Sequence, residues 1–330
     1  MSSQLSYAGN DSANVKLFGA TGDGTDDDTI PIQNAISNAY NLAANAGSGN
    51  VYFPAGNYKI SQGLTVPSGV SLIGAGRGAT TVTQVNTAVN AVNLTGVNYV
   101  NVRGMTLTGP ASGTGIGIHI SPGTPGVSAG MRFEDLFISG FGSHGVYADT
   151  IITTLFQEVT SYNNGADGFE VTSTSATSTS VTMIACYALQ NHGTFGYYMH
   201  NMYYSSMIGC ACDSAASNGY ELNACGAVSL VNCGCETPGT NSFILSSGSG
   251  NSLIGCYSYK NNAVGAWVTG SEKNAIIENF TENSPTGNAT ASVKTDSGTS
   301  AVITSPTVTT AASYASGTAY TITYAGGTTH

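Results

Sequence analysis

GVYADTIITTLFQEVTSYNNGAD, residues 145–167, decides the fold, because related segments follow it along the chain. Each segment opens with a small residue and then an apolar one, runs through short apolar stretches and ends in a polar turn. The steps between successive segment starts are 23, 28, 23, 23 and 23 residues. A constant step with one five-residue insertion is typical of a solenoid, whose insertions lie in loops. The starts are Gly145, Gly168, Gly196, Gly219, Ser242 and Gly265.

Each segment is too short for a strand-helix-strand unit, and its apolar residues alternate with a period of two. We therefore predict an all-β chain, a right-handed parallel β-helix with coils of about 23 residues. The β-helix is expected over residues 51–294. Residues 1–50 are expected to form an N-terminal arm and capping helix, and residues 295–330 a C-terminal β-rich cap or oligomerisation segment.

The amino-acid composition limits which classes of molecule this chain can bind. The chain has 330 residues, a formal net charge of −10 and eight Lys plus Arg residues, which excludes the basic stripe of a nucleic-acid-binding protein. There is no apolar run of about 18 residues, so we expect no membrane insertion. The start, MSSQLSYAGN, lacks the basic and apolar parts of a signal peptide. Neutral or weakly charged glycans are the large partners that this charge balance favours.

Six of the seven cysteines follow the same period. Four of them are 24, 23 and 23 residues apart, and two more form a second column two residues further on. We interpret both columns as ladders of small buried side chains in the solenoid core. Zinc binding is less favoured because no histidine is in register to complete a tetrahedron, and disulfides between neighbouring coils remain open. The columns are Cys186, Cys210, Cys233 and Cys256, and then Cys212 and Cys235.

The region before the repeats predicts a cap. Thr29 to Ala46 has an apolar period of 3.6 residues and follows three aspartates, Asp26, Asp27 and Asp28, which suit a helix N-terminus. We expect the helix to cover the first coil and the aspartates to order the loop rather than to catalyse a reaction.

Three motifs in this part of the chain resemble a known family. FGATGDGTDDDT (18–29), YFPAGNY (52–58) and LIGAGRGAT (72–80) resemble the N-terminal part of the pectate-lyase-superfamily β-helix domain. Phage tailspikes, polygalacturonase-like proteins and the catalytic modules of alginate epimerases share that domain. The resemblance implies the fold, a polysaccharide partner, an extracellular or virion-associated location and, through the tailspikes, a parallel homotrimer.

The reaction motifs of these relatives are largely replaced. Polygalacturonases carry Gly-His-Gly where this chain offers only Ser143-His144-Gly145, and epimerase modules carry Asp-Pro-His-Glu where it has Tyr147-Ala148-Asp149-Thr150. SYNNGADGF (161–169) does resemble the epimerase modules. No Lys or Arg lies between Arg132 and Lys260, although lyases need basic residues. We expect His144 and His192 to be polar loop residues.

Alternation along the first strand of each coil predicts which side chains face the solvent. One parity is large and apolar and is assigned to the core: Phe169, Val171, Tyr197, Met199, Tyr220, Leu222, Phe243 and Leu245. The other parity mixes aromatic rings with carboxylates, His and Asn, which suits sugar rings and their hydroxyls. It reads Tyr147, Asp149, Glu170, Thr172, Tyr198, His200, Glu221, Asn223, Ile244, Ser246, Trp267 and Thr269.

Glycoside hydrolysis needs two carboxyl groups, and inversion needs them roughly 6.5–9.5 Å apart. Glu170 and Glu221 are expected about 10 Å apart at the backbone, and Asp149 and Glu170 about 8 Å. We expect Glu170 to be the acid because Tyr147 and Tyr198 flank it, with Asp149 or Glu221 activating water. The predicted substrate-binding residues are Tyr147, Tyr198, His200, Asn223 and Trp267. Acids expected on other faces or turns are Glu158, Asp167, Asp213, Glu236 and Glu278.

Three functions follow from this interpretation. The first is a glycosidase that degrades a bacterial surface polysaccharide or similar glycan, with no metal and no cofactor. The second is a polysaccharide lyase or epimerase that uses a Tyr-His pair such as Tyr198 and His200. The third is a non-catalytic glycan-binding adhesin or structural solenoid.

Overall fold

Parallel pairing between successive coils builds the whole molecule. A computed structural model describes residues 12–46, 49–124, 126–283 and 291–308. In these ranges the strands form a parallel β-solenoid of about ten turns with one α-helix near the N-terminus. The predicted parallel β-helix is therefore confirmed.

The described strands belong to three sheets. The ten-stranded sheet, called the site sheet below, consists of Leu64–Thr65, Val92–Thr95, Ile118–Ser121, Val146–Asp149, Phe169–Thr172, Phe195–His200, Asn218–Asn223, Phe243–Ser246, Val264–Thr269 and Ala291–Thr295. A four-stranded sheet consists of Ser128–Ala129, Ile151–Ile152, Ser178–Thr179 and Met202–Tyr203.

The third sheet, called the long sheet, takes up to two strands from each coil and covers the remaining faces. Its strands are Ser12–Asn14, Asp23–Asp27, Gly49–Phe53, Gly56–Ile60, Val70–Gly74, Thr80–Gln84, Asn101–Thr108, Arg132–Ser139, Leu155–Tyr162, Thr182–Ile184, Tyr187–Leu189, Ser206–Ile208, Ala211–Asp213, Ser229–Val231, Gly234–Glu236, Ser252–Ile254, Tyr257–Tyr259, Ala275–Glu278, Thr281–Asn283, Ala301–Thr304 and Thr307–Val308.

The strand register in the site sheet reproduces the period of the sequence. Val146 pairs with Phe169, and Phe169 pairs with Tyr197. Tyr197 pairs with Tyr220, and Tyr220 pairs with Phe243. The 28-residue step places four of its five extra residues in the turn between Phe169–Thr172 and Ser178–Thr179, and the fifth lies between Leu189 and Tyr197. The predicted coil starts and the insertion are therefore confirmed.

The large side chains of the inward parity form one continuous stack. Tyr197 is fully buried, and its ring centroid lies 4.9 Å from that of Phe169 and 4.6 Å from that of Tyr220. The Tyr220 ring stacks in turn on Phe243 at 4.8 Å. The Tyr197 hydroxyl donates a hydrogen bond to the Ala211 carbonyl (3.1 Å), so its polar end is also satisfied. Burial of such rings is a major source of stability.

A column of residues with the left-handed backbone conformation forms one corner of the coils within the long sheet. Glu158, Ala185, Gly209 and Asn232 occupy this corner, with φ between 51° and 59°. A cysteine follows the corner residue in four successive coils, and all seven cysteines are buried and free. Cys212 pairs with Cys235 in the neighbouring strand. The predicted cysteine ladders are confirmed.

This burial predicts the reactivity of the thiols. Burial raises the pKa of the Cys186 thiol well above its usual value and that of Cys225 to about 12, which suppresses the reactive thiolate. We expect a thiol reagent to label almost none of the seven cysteines in the native protein and all seven in denaturant. Rapid labelling of the native protein would contradict a closed core.

The one α-helix among the described residues spans Thr29–Ala46, as predicted, and packs on the first coils. The Asp27 carboxylate accepts a hydrogen bond from the Thr29 amide (3.0 Å), and Asp28 accepts one from the Thr21 amide (2.7 Å). The aspartates therefore cap the helix and order the preceding loop. The buried face of the helix is formed by Ile32, Ala35, Ile36 and Ala39.

The described strands extend beyond residues 51–294 at both ends. At the N-terminal end, Ser12–Asn14 pairs with Gly49–Phe53, and the short 3-10 helix Val15–Phe18 follows Ser12–Asn14. At the C-terminal end, Ala301–Thr304 pairs with Ala275–Glu278. The expected cap or oligomerisation role of residues 295–330 stays a prediction, since residues 309–330 lie outside the described part. Among the described residues, no helix is both long and apolar enough to span a membrane.

Candidate active site

The register of the site sheet places the predicted residues in one row. Tyr147 pairs with Glu170, Glu170 with Tyr198, and Tyr198 with Glu221. All four side chains are partly exposed, as predicted. We call this line the site row; His119 precedes it, and Ile244 and Trp267 follow it.

Glu221 lies between Tyr198 and Ile244 of the two neighbouring strands. Burial raises the pKa of its carboxyl, while a hydrogen bond from Asn223 Nδ2 (2.9 Å) and the nearby His200 oppose that shift. Burial and the charges of Glu221 and Glu170 raise the pKa of the Tyr198 phenol, which therefore stays protonated near neutral pH. A neutral phenol can donate a hydrogen bond to a sugar hydroxyl.

Glu170 has a histidine partner. His144 Nε2 lies 2.9 Å from Glu170 Oε2, and the two side chains are 19% and 20% exposed. The other ring nitrogen of His144, Nδ1, lies 2.9 Å from the Ser143 hydroxyl oxygen. The interpretation of His144 as a mere polar loop residue was therefore wrong. The turn before Val146–Asp149 brings its ring over the next coil, a contact that strand periodicity does not reveal.

Asp167 joins the same cluster rather than another face. Its Oδ1 accepts a hydrogen bond from the Phe195 amide (2.8 Å), and burial raises its pKa. Ligand atoms of His144, Asp167 and Glu170 all lie within 4.8 Å of one another. One nitrogen and two carboxylates form a set that can hold a divalent cation. That the reaction needs no metal stays a prediction.

Tyr147 packs between two imidazoles. Its ring centroid is 5.6 Å from that of His119 and 5.5 Å from that of His144. Burial lowers the pKa of His119, which favours the neutral ring, and burial with the charges of Glu170 and Asp149 raises the pKa of Tyr147. The sequence did not reveal His119, because this residue lies in a coil before the regular repeats, 28 residues before Tyr147.

Asp149 is 7% exposed and is not the open surface residue that alternation predicted. Its carboxylate accepts hydrogen bonds from the Thr174 amide (2.9 Å), the Thr174 hydroxyl and the Thr150 hydroxyl (2.7 Å). Thr174 belongs to the insertion, which therefore folds over Asp149. Other outward residues are also buried, namely Thr172, Ile244 and Ser246.

The remaining predicted binding residues lie along the same face. The His200 ring is stacked with that of Tyr198 at 6.2 Å, and its Nδ1 lies 3.3 Å from the Thr172 hydroxyl oxygen. Trp267 donates from Nε1 to Asp296 (3.0 Å), and Lys294 Nζ lies 4.3 Å from its ring centroid. The face therefore offers aromatic surface at both ends of the carboxylates.

Residues 12–211 match the protein family described as "Rhamnogalacturonase A/epimerase, pectate lyase-like". The chain belongs to this family. The assignment confirms the resemblance seen in the N-terminal motifs. The matched part includes His119 and the site-row residues Tyr147, Glu170 and Tyr198, whereas Glu221 lies outside it.

Individual relatives agree with the family assignment. Mannuronan C5-epimerase AlgE2 of Azotobacter vinelandii is 33% identical over 177 residues, which cover 47% of this chain and 17% of that protein. The matched part is thus less than a fifth of the relative's length.

Solved structures show the same fold at low sequence identity. The A-module of mannuronan C-5 epimerase AlgE4 from Azotobacter vinelandii is 21% identical, with a TM-score of 0.67, and the match covers 91% of this chain and 100% of that one. Tailspike protein 2 from Escherichia coli O157:H7 bacteriophage CAB120 is 16% identical, with a TM-score of 0.75, over 90% and 42% of the two chains.

Proposed function

We propose that this pectate lyase-like chain is a glycoside hydrolase that cleaves a polysaccharide bound along the site row. The observation that carries the proposal is the alignment of Glu170 and Glu221 in one row with Tyr198 between them. Two strand spacings separate their backbones by about 10 Å, which suits the wide carboxyl separation of inverting enzymes.

The surroundings of the two carboxyl groups indicate which one is the general acid and which one is the base. Burial raises the pKa of Glu221, so it is the general acid that protonates the glycosidic oxygen as the bond to the anomeric carbon breaks. Glu170, held by His144 Nε2, is the base that accepts the proton of the attacking water. This assignment replaces the expectation that Glu170 is the acid. Asp149 holds the insertion in place and acts only indirectly.

The charge of the site favours a neutral or weakly charged glycan. The strands around the site row carry carboxylates, and no Lys or Arg occurs between residues 132 and 260. An anionic polymer would therefore meet repulsion that nothing in this segment offsets. Tyr147, Tyr198 and Trp267 provide partly exposed aromatic rings against which neutral sugar rings pack.

A screen of bacterial surface polysaccharides tests the proposal. We expect at least one polymer to lose viscosity while its reducing ends increase and its ultraviolet absorption stays unchanged. Binding without any shortening would support the third function, the non-catalytic adhesin, and would contradict the hydrolase.

A lyase or epimerase is the second candidate. It is favoured by the similarity to the C5-epimerase AlgE2 and by Tyr147, which packs between His119 and His144. A neutral His119 is a suitable base, and a phenol is a suitable acid. A lyase predicts an unsaturated, ultraviolet-absorbing product, and an epimerase predicts an altered sugar composition at unchanged chain length.

The assignment of Glu221 as the acid predicts a pH dependence. Activity requires its protonated form, so the rate falls as pH rises through a pKa that lies above the ordinary value of 4.5. The Asn223 hydrogen bond favours the charged form, so Asn223→Ala raises the pKa further. We expect the alkaline limb of kcat to move to higher pH in this variant; a shift to lower pH would contradict the assignment.

We also retain the homotrimer and the extracellular or virion-associated location as proposals. The likeness to a tailspike supports both. Light scattering of the purified chain should give three times the mass of one chain, and a monomeric mass would remove the trimer.

A further inference from the structure

All three arginines of the chain lie on one region of the long sheet, away from the site row. Arg103 lies in strand Asn101–Thr108 and Arg132 in the next strand, Arg132–Ser139, while Arg77 lies in the turn after Val70–Gly74. Glu134 and Asp135 lie beside the three arginines, so this region has one net positive charge in a chain whose net charge is −10.

A groove in this region is lined by Arg103 and Arg132. Two cavities of about 250 Å³ and about 390 Å³ share Ile73, Arg103 and Glu134 in their walls and so form one continuous depression. At Gly74 the backbone lies close to the next strand, because a Cβ at this position would be 2.1 Å from the Gly104 carbonyl oxygen. The groove crosses four successive strands, which is about 14 Å from the first to the last.

One wall of the groove is a ladder of polar side chains. Asn50 pairs with Ser71, Ser71 with Asn101, and Asn101 with Arg132 in neighbouring strands. Asn101 Nδ2 donates to the Ser71 hydroxyl (3.1 Å), which holds these two side chains in place. Amide and hydroxyl groups at successive strand spacings match the hydroxyl groups of a sugar chain.

Two of the three arginines in this region form ion pairs, and the third does not. Arg132 lies 3.7 Å from Glu134, and Arg77 lies 3.3 Å from Asp135. Arg103, at the centre, lies opposite Glu134 of the neighbouring strand but forms no ion pair with it or with any other described residue. A guanidinium without a partner presents a planar fork of donors that fits a carboxylate with two hydrogen bonds.

We propose that this groove is a second saccharide-binding site, distinct from the site row, that takes a sugar bearing a carboxylate. The carboxylate binds Arg103 and is flanked by Arg132, while ring hydroxyls contact Asn50 and Glu134. The site supplies affinity rather than chemistry. The groove therefore binds acidic glycans, which the carboxylate-lined site row repels.

Fluorescence anisotropy of labelled oligogalacturonate tests the proposal, with a labelled malto-oligosaccharide as the neutral comparison. We expect the acidic probe to bind the full chain, to weaken with added salt, and to bind Arg103→Gln about tenfold more weakly or worse. Arg103→Lys should bind with intermediate strength because it keeps the charge and loses the fork. Lys260→Gln, outside the groove, should match the wild type.

Glu170→Gln separates this site from the proposed function, because it alters the site row and should leave oligogalacturonate binding unchanged. Circular dichroism establishes that each variant is folded. Equal binding by wild type and folded Arg103→Gln, or equal binding of the neutral probe, would overturn the proposal.

Discussion

Glu170→Gln and Glu221→Gln are each expected to reduce polysaccharide cleavage by about a thousandfold while the protein stays folded. Each amide keeps the size of the side chain and removes one proton-transfer step, which typically contributes a factor of about 10² to 10⁴. For Glu221 the lost group is the acid whose pKa burial raises, and for Glu170 it is the partner of His144. Initial rates of reducing-end release measure the effect.

Two controls make this prediction specific. Glu236→Gln changes an exposed carboxylate on the long sheet and should keep the wild-type rate. Asp149→Asn should affect thermal stability more than cleavage, because its carboxylate holds Thr174 of the insertion. Wild-type rates in both Glu170→Gln and Glu221→Gln would show that cleavage does not use the site row.

Tyr197→Ala is expected to cost about 3–5 kcal/mol of the free energy of unfolding, the range found when a buried aromatic ring is removed. The ring is fully buried between Phe169 and Tyr220, so its loss leaves a cavity that neighbouring coils fill poorly. The disruption should spread along the stack, since each coil of a solenoid is stabilised by its neighbours. Urea denaturation followed by circular dichroism gives the value.

Matched variants separate the ring from its hydroxyl. Tyr197→Phe loses only the hydrogen bond to the Ala211 carbonyl and should cost about 1 kcal/mol. Tyr198→Ala removes the next, partly exposed ring of the same strand and should cost less than Tyr197→Ala. Equal losses for Tyr197→Ala and Tyr198→Ala would contradict the assignment of inward and outward faces.

The architecture was predictable because it follows from repetition. A 23-residue period with one insertion places each strand on the next, and the Thr29–Ala46 helix carries its own 3.6-residue pattern. Prediction of the row from Tyr147 to Glu221 required only the alternation of side chains along each strand and the repeat period of the coils. These features are local or repeated, so tertiary contacts did not override them.

The chemistry of the site was less predictable because it depends on turns. His144 and Asp167 lie just before their strands, where side-chain direction follows no simple alternation, and only the folded turn brings them to Glu170. Asp149 obeyed the alternation but was covered by the insertion, whose path the sequence does not specify. His119 lies in a coil of different length, outside the regular repeats.

Mass spectrometry of the products formed in oxygen-18 water tests the hydrolase most directly. Hydrolysis breaks the glycosidic bond with water, so each new reducing end should carry one heavy oxygen, and Glu170→Gln should form almost none of this product. Products that lack the elements of water and contain no label would identify elimination instead, and the assignment of Glu221 and Glu170 as acid and base of hydrolysis would be wrong.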